Sequence, residues 1–358
     1  MPGPESAGGP GLRPGPRPRV AQLVVYPVKS CRGCPVPRAR VAATGGLRRR
    51  PPPVPDGRPD PDRLRGAGLE YDRTWMVVDA GTGRFLSQRQ NPAMALVEVA
   101  LGPLDDDAEG GGGQQGMLSL SAPGMGPLEV PLERPGGPGQ PQPSGVSVWE
   151  WSGSGVDEGN AAAAWWSVYL QRECRLVRHR PEFGVRQTDP AFAPGHETAF
   201  SDGFPFLLAG AASLERLNAE LAAAAAAAAP VPMDRFRPNI VVAADGCRPF
   251  EEDGWGALRV APRGGDPGAP AVEFSSVKPC ARCQVPNVDQ GTGIPSAESQ
   301  PFAALSAFRK GADLGYELPG VFFGWNLVCR AGVGGVVSVG DELDVELAGS
   351  GRTFRRPF

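Results

Sequence analysis

From Val20 onward the chain changes from polar, kinked sequence to VAQLVVYPV, a β-branched and aromatic run ending at Pro27 that reads as a strand. YDRTWMVVDAGTGRFLSQRQ alternates apolar and polar positions on either side of Asp79-Ala80-Gly81-Thr82-Gly83, which predicts a hairpin. ALVEVAL, MLSLSA and VSVWEWSG continue the short-strand pattern, so the first third is mainly β, as a barrel or a sandwich. The period changes in the middle. GNAAAAWWSVYLQREC places Trp165, Val168 and Tyr169 at helical spacing, and AASLERLNAELAAAAAAAAP keeps Leu214, Leu217 and Leu221 on one face. Ser213 is the predicted cap of that second helix, Pro230 its stop, and the alanine tract a lengthening without its own function. FRPNIVVAA, ALRVAP, AVEFSSV and VGDELDVEL then return to the strand pattern. The expected fold class is β-dominated α/β, and no glycine-rich G-x-G-x-x-G follows a strand, which argues against a dinucleotide-binding fold.

Composition sharpens the boundaries. Gly 50 and Pro 41 make up about a quarter of 358 residues, against roughly 12% in average usage. The excess lies in patches: residues 46–66, 104–115 and 134–145 read as loop insertions, and 1–19 as a disordered leader with no secretory h-region. The expected division is an N-terminal domain over 20–150 and a helical linker with a second domain over 151–350. A net charge of −3 with interspersed signs gives no general nucleic-acid surface. No segment reaches the roughly 18 consecutive apolar residues of a membrane helix. Seven cysteines without a signal peptide point to reduced thiols and not to a disulfide framework. A cytoplasmic location is expected, with mitochondrial association as the alternative.

The chemistry concentrates in SSVKPCARCQVPNVDQGTG. Cys280 and Cys283 could join Cys31 and Cys34 as a four-thiolate zinc site, but the two knuckles lie far outside the spacing of about 15–20 residues found in compact ribbons. A redox pair would need a helix N-terminus behind it, where the chain instead has Pro286 and turn residues. The third option is one working thiolate beside Arg282, able to bind a soft metal or act as a nucleophile. Two small buried hydrophobes are the bland reading. Three other stretches supply polar and cationic groups. PVKSCRG sets Lys29 and Ser30 after a strand, where they could cradle a phosphate, although a solvated strand end looks the same. YDRTW carries Arg73, for which a structural ion pair is an equal alternative. FRPNIVV carries Arg237 and Asn239, expected at alternate positions of a strand that starts at a sheet edge. Such cations beside a thiolate fit an anionic cofactor carrying a phosphate and a soft metal.

In this order, VYPVKSC, YDRTWMVVD with FLSQRQ, FSDGFPFLLAG, FRPNIVV, KPCARCQVPNVDQGTG and FFGWNLV resemble the molybdenum enzymes called amidoxime-reducing components. The match runs from about residue 20 to 347. The resemblance implies an N-terminal MOSC β-barrel-like lobe packed on a MOSC β-barrel domain with a few helices. It implies a molybdenum cofactor, Mo-molybdopterin, with Cys283 as the protein's ligand to Mo and the catalytic residue. Lys29, Ser30 and Arg73 would hold the phosphate end and pterin, while Arg237, Asn239 and Arg282 complete the pocket. Gly203 and Phe204 would contribute through backbone, and Asn326 would stand on the substrate side, where Trp325 and Asn326 depart from the family's usual Gln. The implied activity is reduction of N-hydroxylated compounds such as amidoximes and hydroxylamines, and of nitrite. With no haem or flavin motif, electrons would come from cytochrome b5 and its NADH-dependent reductase. The alternative, from the C-terminal region of molybdenum cofactor sulfurases, is a sulfur-carrier or cofactor-binding protein.

Overall fold

The computed structural model of the chain describes residues 15–42, 68–102, 116–133, 143–224, 229–261 and 270–348. The leader up to residue 14 and the proposed insertions at 46–66 and 104–115 lie outside these residues, as do residues 134–142 of the third. Residues 143–145, expected in that loop, instead begin the strand Pro143–Val148.

Seven strands close a barrel. Around it run Ile240–Ala243, Phe206–Gly210, Phe322–Ala331, Glu273–Ala281, Trp255–Ala261, Glu342–Leu347 and Arg19–Val25, and the last pairs back onto Ile240–Ala243. Their apolar residues fill the inside, where Phe206, Trp255, Phe274, Trp325, Leu327 and Leu343 are almost fully buried. The alternation in ELDVEL puts Leu343 and Val345 there and leaves the carboxylates facing outward. Only the pair Phe206–Gly210 and Ile240–Ala243 is parallel among the barrel pairings. A parallel pair needs a crossover, and the helix Ala211–Ala224 supplies it, laying Leu217 and Leu221 against Phe236 and Phe323 on the barrel's outer face. Ser213 lies inside this helix and does not cap it; its hydroxyl donates to the Glu252 carboxylate at 2.7 Å and accepts from the Phe250 N–H at 2.8 Å.

The second lobe holds two antiparallel sheets. Trp75–Asp79, Cys174–Arg178, Trp151–Asp157 and Pro143–Val148 form one, in that order. Glu98–Gly102, Met117–Ser121 and Leu128–Pro131 form a three-stranded meander. The helix Asn160–Leu170 closes their common core through Trp166, which packs with Trp75, Leu118 and Leu176.

Two expected boundaries shift. Arg19–Val25 joins the barrel, and Trp151–Arg178 joins the lobe of Trp75–Asp79 and the meander, so a cut at 150/151 falls in the turn of a hairpin. Hydrophobic period identifies strands without naming their partners. The FRPN stretch also differs from its expected form. Arg237 has φ 58°, the strand starts at Ile240, and that strand pairs on both sides, so it is no sheet edge. At Gly324 of FFGWN, φ is +78° and a Cβ would meet the Leu208 carbonyl oxygen at 2.6 Å, so the close strand approach requires glycine.

Candidate functional site

All ten residues singled out from the sequence line one cleft between the lobes: Lys29, Ser30, Arg73, Gly203, Phe204, Arg237, Asn239, Arg282, Cys283 and Asn326. Its floor is a set of arginines clamped from behind. The Arg73 and Arg237 guanidinium groups lie 4.3 and 4.4 Å from the ring of Tyr26, which precedes Pro27 at the end of the first strand. Burial pushes the Tyr26 phenol up to about 12, against the pull of the two cations, so it stays neutral. Arg73 donates to Asp72 at 2.5 Å, to Asn239 Oδ1 at 3.0 Å and to the Arg237 carbonyl at 3.1 Å. Arg73 sits in the left-handed region at φ 46°.

Asn239 is fully engaged. Its Nδ2 donates to Val24 O and Asp72 Oδ1, and its Oδ1 accepts from Arg73 and the Leu207 N–H. An amide with two donors and two acceptor sites has nothing left for a ligand, so Asn239 acts by fixing Arg73 and Asp72. Burial raises the Asp72 carboxyl, while Arg73, the Tyr26 N–H and Asn239 oppose that rise.

Arg237 and Arg282 keep unspent donors. Arg237 gives Nη1 to the Cys31 carbonyl at 2.6 Å, and its Nη2 is buried without a partner. Burial lowers the Arg237 guanidinium from its ordinary value. Arg282 gives Nη2 to the Phe236 carbonyl at 2.9 Å and Nη1 to Cys280 Sγ at 3.1 Å, while its Nε is buried and unpaired. Buried donors without partners also occur away from the cleft, as at Trp166 Nε1 and Arg235 Nε, but those of Arg237 and Arg282 belong to residues that line it and are open to a polar ligand.

The two cysteines separate here. Burial raises the Cys280 thiol, with Arg282 opposing. Cys283 lines the cleft half-buried and its thiol makes no hydrogen bond among the described residues. A four-thiolate site does not form: Cys34 gives its thiol to the Val99 carbonyl, and no group of three potential ligands occurs among the described residues. Asn326 holds the Lys278 carbonyl at 3.2 Å, whereas its neighbour Trp325 turns inward and bonds Asp253.

Three cleft residues escaped the sequence reading. Asp202 accepts from Lys29 Nζ at 2.5 Å and from Trp149 Nε1 at 3.1 Å. Desolvation opposes ionisation of Asp202, but Lys29, Trp149 and Arg186 outweigh it and hold the carboxyl far below the usual range. Its side chain is 69% exposed, so solvent itself supports the carboxylate and screens part of the pull of Lys29. Burial lowers the Lys29 ammonium to about 8, against the attraction of Asp202. Arg89 stacks on Trp149 at 4.1 Å. FSDGF and FLSQRQ contain Asp202 and Arg89, but only the fold brings them to Lys29 and Trp149.

The arrangement is a cationic floor with two unspent donors, an unbonded thiol and a lysine–carboxylate pair at one side. It suits a group that is anionic and carries a thiophilic metal.

Comparison with known proteins gives the class first. Residues 60–173 match the MOSC N-terminal beta barrel domain, and residues 195–344 match the MOSC domain. Mitochondrial amidoxime-reducing component 1 of Mus musculus is 32% identical over 296 residues, covering 81% of this chain and 71% of that protein. The Homo sapiens protein of the same name is 32% identical over 297 residues, with 81% and 72% covered. Molybdenum cofactor sulfurase of Aspergillus niger is 28% identical over 380 residues, covering 90% of this chain but 41% of the sulfurase. The chain belongs to the family of amidoxime-reducing components. No helix among the described residues is long and apolar enough to cross a membrane.

Proposed function

We propose that the cleft holds a molybdenum cofactor and that the protein reduces N-hydroxylated compounds. The observation that carries this reading is the convergence of the free Cys283 thiol with the unpaired N–H groups of Arg237 and Arg282. Cys283 would ligate the metal, and Arg237, Arg282, Lys29 and Ser30 would hold the anionic end of the cofactor. When bound, the cofactor supplies the two-electron oxygen-atom chemistry, so that an amidoxime, two electrons and two protons give an amidine and water. The chain's own residues orient and neutralise. Arg73 and Asn239 keep the floor rigid, and the Lys29–Asp202 pair carries an ionisable proton at the wall. Electrons would arrive from cytochrome b5 and its NADH-dependent reductase. The relatives' mitochondrial names favour association with that organelle over a purely cytoplasmic place.

The test is to produce the protein in a host that makes molybdenum cofactor, measure bound metals, and assay benzamidoxime with NADH, cytochrome b5 and its reductase. About one Mo per chain with NADH oxidation dependent on benzamidoxime is the expected result. Zinc in place of Mo would overturn the reading. The similarity to the sulfurase over most of the chain supports a second reading, a sulfur-carrier or cofactor-binding protein. Mo retained without reduction of any N-hydroxylated substrate would favour it.

Lys29 gives the reading a pH signature. As the ammonium loses its proton through about pH 8, kcat/KM is expected to fall by up to about tenfold per pH unit above that point. Stability moves the other way. The unfolded chain binds more protons between about 8 and the ordinary 10.5, so folding becomes more favourable as pH rises through this window. A falling rate in a protein that resists urea better therefore isolates the functional effect. Lys29→Arg, charged throughout, should flatten the alkaline limb of the rate profile; an unchanged limb would assign it to another group.

A further inference from the structure

The mouth of the cleft holds a cation that the reading above leaves unused. Arg89 is half-buried, its Nε donates to Ser87 Oγ at 3.3 Å, and no carboxylate pairs with it among the described residues. Its two terminal nitrogens have no acceptor among those residues. The floor arginines differ, since Arg73, Arg237 and Arg282 each give a terminal nitrogen to a backbone carbonyl. Lys29 differs too, because its ammonium already donates to the Asp202 carboxylate.

Arg89 is nevertheless held in place. Its guanidinium lies 4.1 Å from the Trp149 ring and 5.9 Å from the Phe85 ring. Trp149 stands at the turn of its hairpin with φ 57°, 37% exposed, its ring 5.3 Å from Phe85 and its indole N–H bonded to Asp202. A guanidinium whose face is stacked on an aromatic ring keeps its edge for a carboxylate or phosphate, which it can bind through two parallel N–H bonds. Both Arg89 and Trp149 line the same cleft as Cys283.

We infer that Arg89, stacked on Trp149, recognises an anionic substituent of the substrate, so that the preferred N-hydroxylated compounds carry a carboxylate or phosphate away from the reacting N–O group. This rests on the reductase reading of the cleft.

The test compares benzamidoxime with 4-carboxybenzamidoxime and 4-phosphonobenzamidoxime on the Mo-loaded protein, in wild type, Arg89→Gln and Arg89→Lys. Steady-state kinetics, calorimetric binding and Mo content are read for each. Wild type should show a lower KM for the two anionic compounds, and the preferred one of the pair tells carboxylate from phosphate. Arg89→Gln should raise the KM for the anionic compounds at least about tenfold more than that for benzamidoxime. Arg89→Lys, a point charge without the fork, should recover part of the preference. Equal changes for neutral and anionic compounds would overturn the inference, as would loss of Mo from Arg89→Gln, which would assign Arg89 to the cofactor. If no compound is turned over, the reductase reading fails by itself. Calorimetric preference for the anionic compounds, lost in Arg89→Gln, would then still support anion recognition, and its absence would sink that too.

Discussion

Cys283→Ser is expected to abolish turnover of N-hydroxylated substrates and to strip most of the Mo from the protein, while the fold survives. The Cys283 thiol makes no hydrogen bond among the described residues and sits half-buried at the cleft wall, so exchanging sulfur for oxygen removes little packing. A hydroxyl stays protonated where a thiol ionises, and it is a hard donor in place of a soft one. The loss should exceed the roughly 10- to 100-fold that follows when a ligand's supporting residue is changed. Cys280→Ala is the internal control. Cys280 Sγ accepts one N–H of Arg282, and removing it loosens that arginine without taking away its bond to the Phe236 carbonyl. Activity should drop less than about tenfold, the scale of one hydrogen bond to a thiol sulfur, which is a weak acceptor. Bound Mo by mass spectrometry, benzamidoxime turnover and urea midpoints together decide the matter. Equal loss in both variants would mean that the loop as a whole, and not one thiolate, makes the site.

The site was more legible in the sequence than the chain's path to it. Lys29, Arg73, Arg237, Arg282 and Cys283 declare their chemistry by residue type, and the fold brings all of them to one cleft. Asp202, Arg89 and Trp149 do not declare theirs. Asp202 earns its place only by meeting Lys29, 173 residues earlier, and Trp149 only because a hairpin turn lifts it over Phe85. Asn239 was expected in the pocket and does line the cleft, yet its amide is engaged by Val24, Asp72, Arg73 and Leu207, which no local pattern could announce. The same limit applies to the fold. The β-branched and aromatic run VAQLVVYPV predicts a strand, but its antiparallel register of Val20 with Val242 and Leu23 with Ile240 comes from barrel closure, a long-range choice. Arg237 and Asn239 reach the cleft although the strand expected to carry them begins only at Ile240, because the left-handed backbone at Arg237 does what strand alternation was expected to do.

Arg178→Met is expected to cost about 3–5 kcal/mol of folding stability, the scale for breaking a buried ion pair from one side. Arg178 and Glu158 are 3% and 1% exposed, and their Nε to Oε1 distance is 2.6 Å. The same Oε1 accepts the Trp75 indole N–H at 2.7 Å, and the guanidinium lies 4.7 Å from that ring. Arg178 also donates to the carbonyls of Leu132 and Pro131, so one side chain ties the four-stranded sheet to the end of the meander. Methionine fills similar space but strands a buried carboxylate and two carbonyls. Adding Glu158→Gln should return part of the loss, since the neutral amide keeps an oxygen for Trp75 and removes the uncompensated charge. The effect should also reach the cleft. The chain runs from Arg178 into His179, whose N–H bonds the Thr74 carbonyl, and the adjacent Arg73 carbonyl accepts from Phe200. Loosening this strand therefore loosens the segment that aims Arg73, and cofactor should dissociate at lower urea than that needed to unfold the barrel. Urea unfolding followed by tryptophan fluorescence, with Mo release measured in parallel, tests both parts. A single variant within about 1 kcal/mol of wild type would show that Glu158 takes up a proton or water at little cost once Arg178 is gone, and a double variant no more stable than the single one would exclude the stranded carboxylate as the cause.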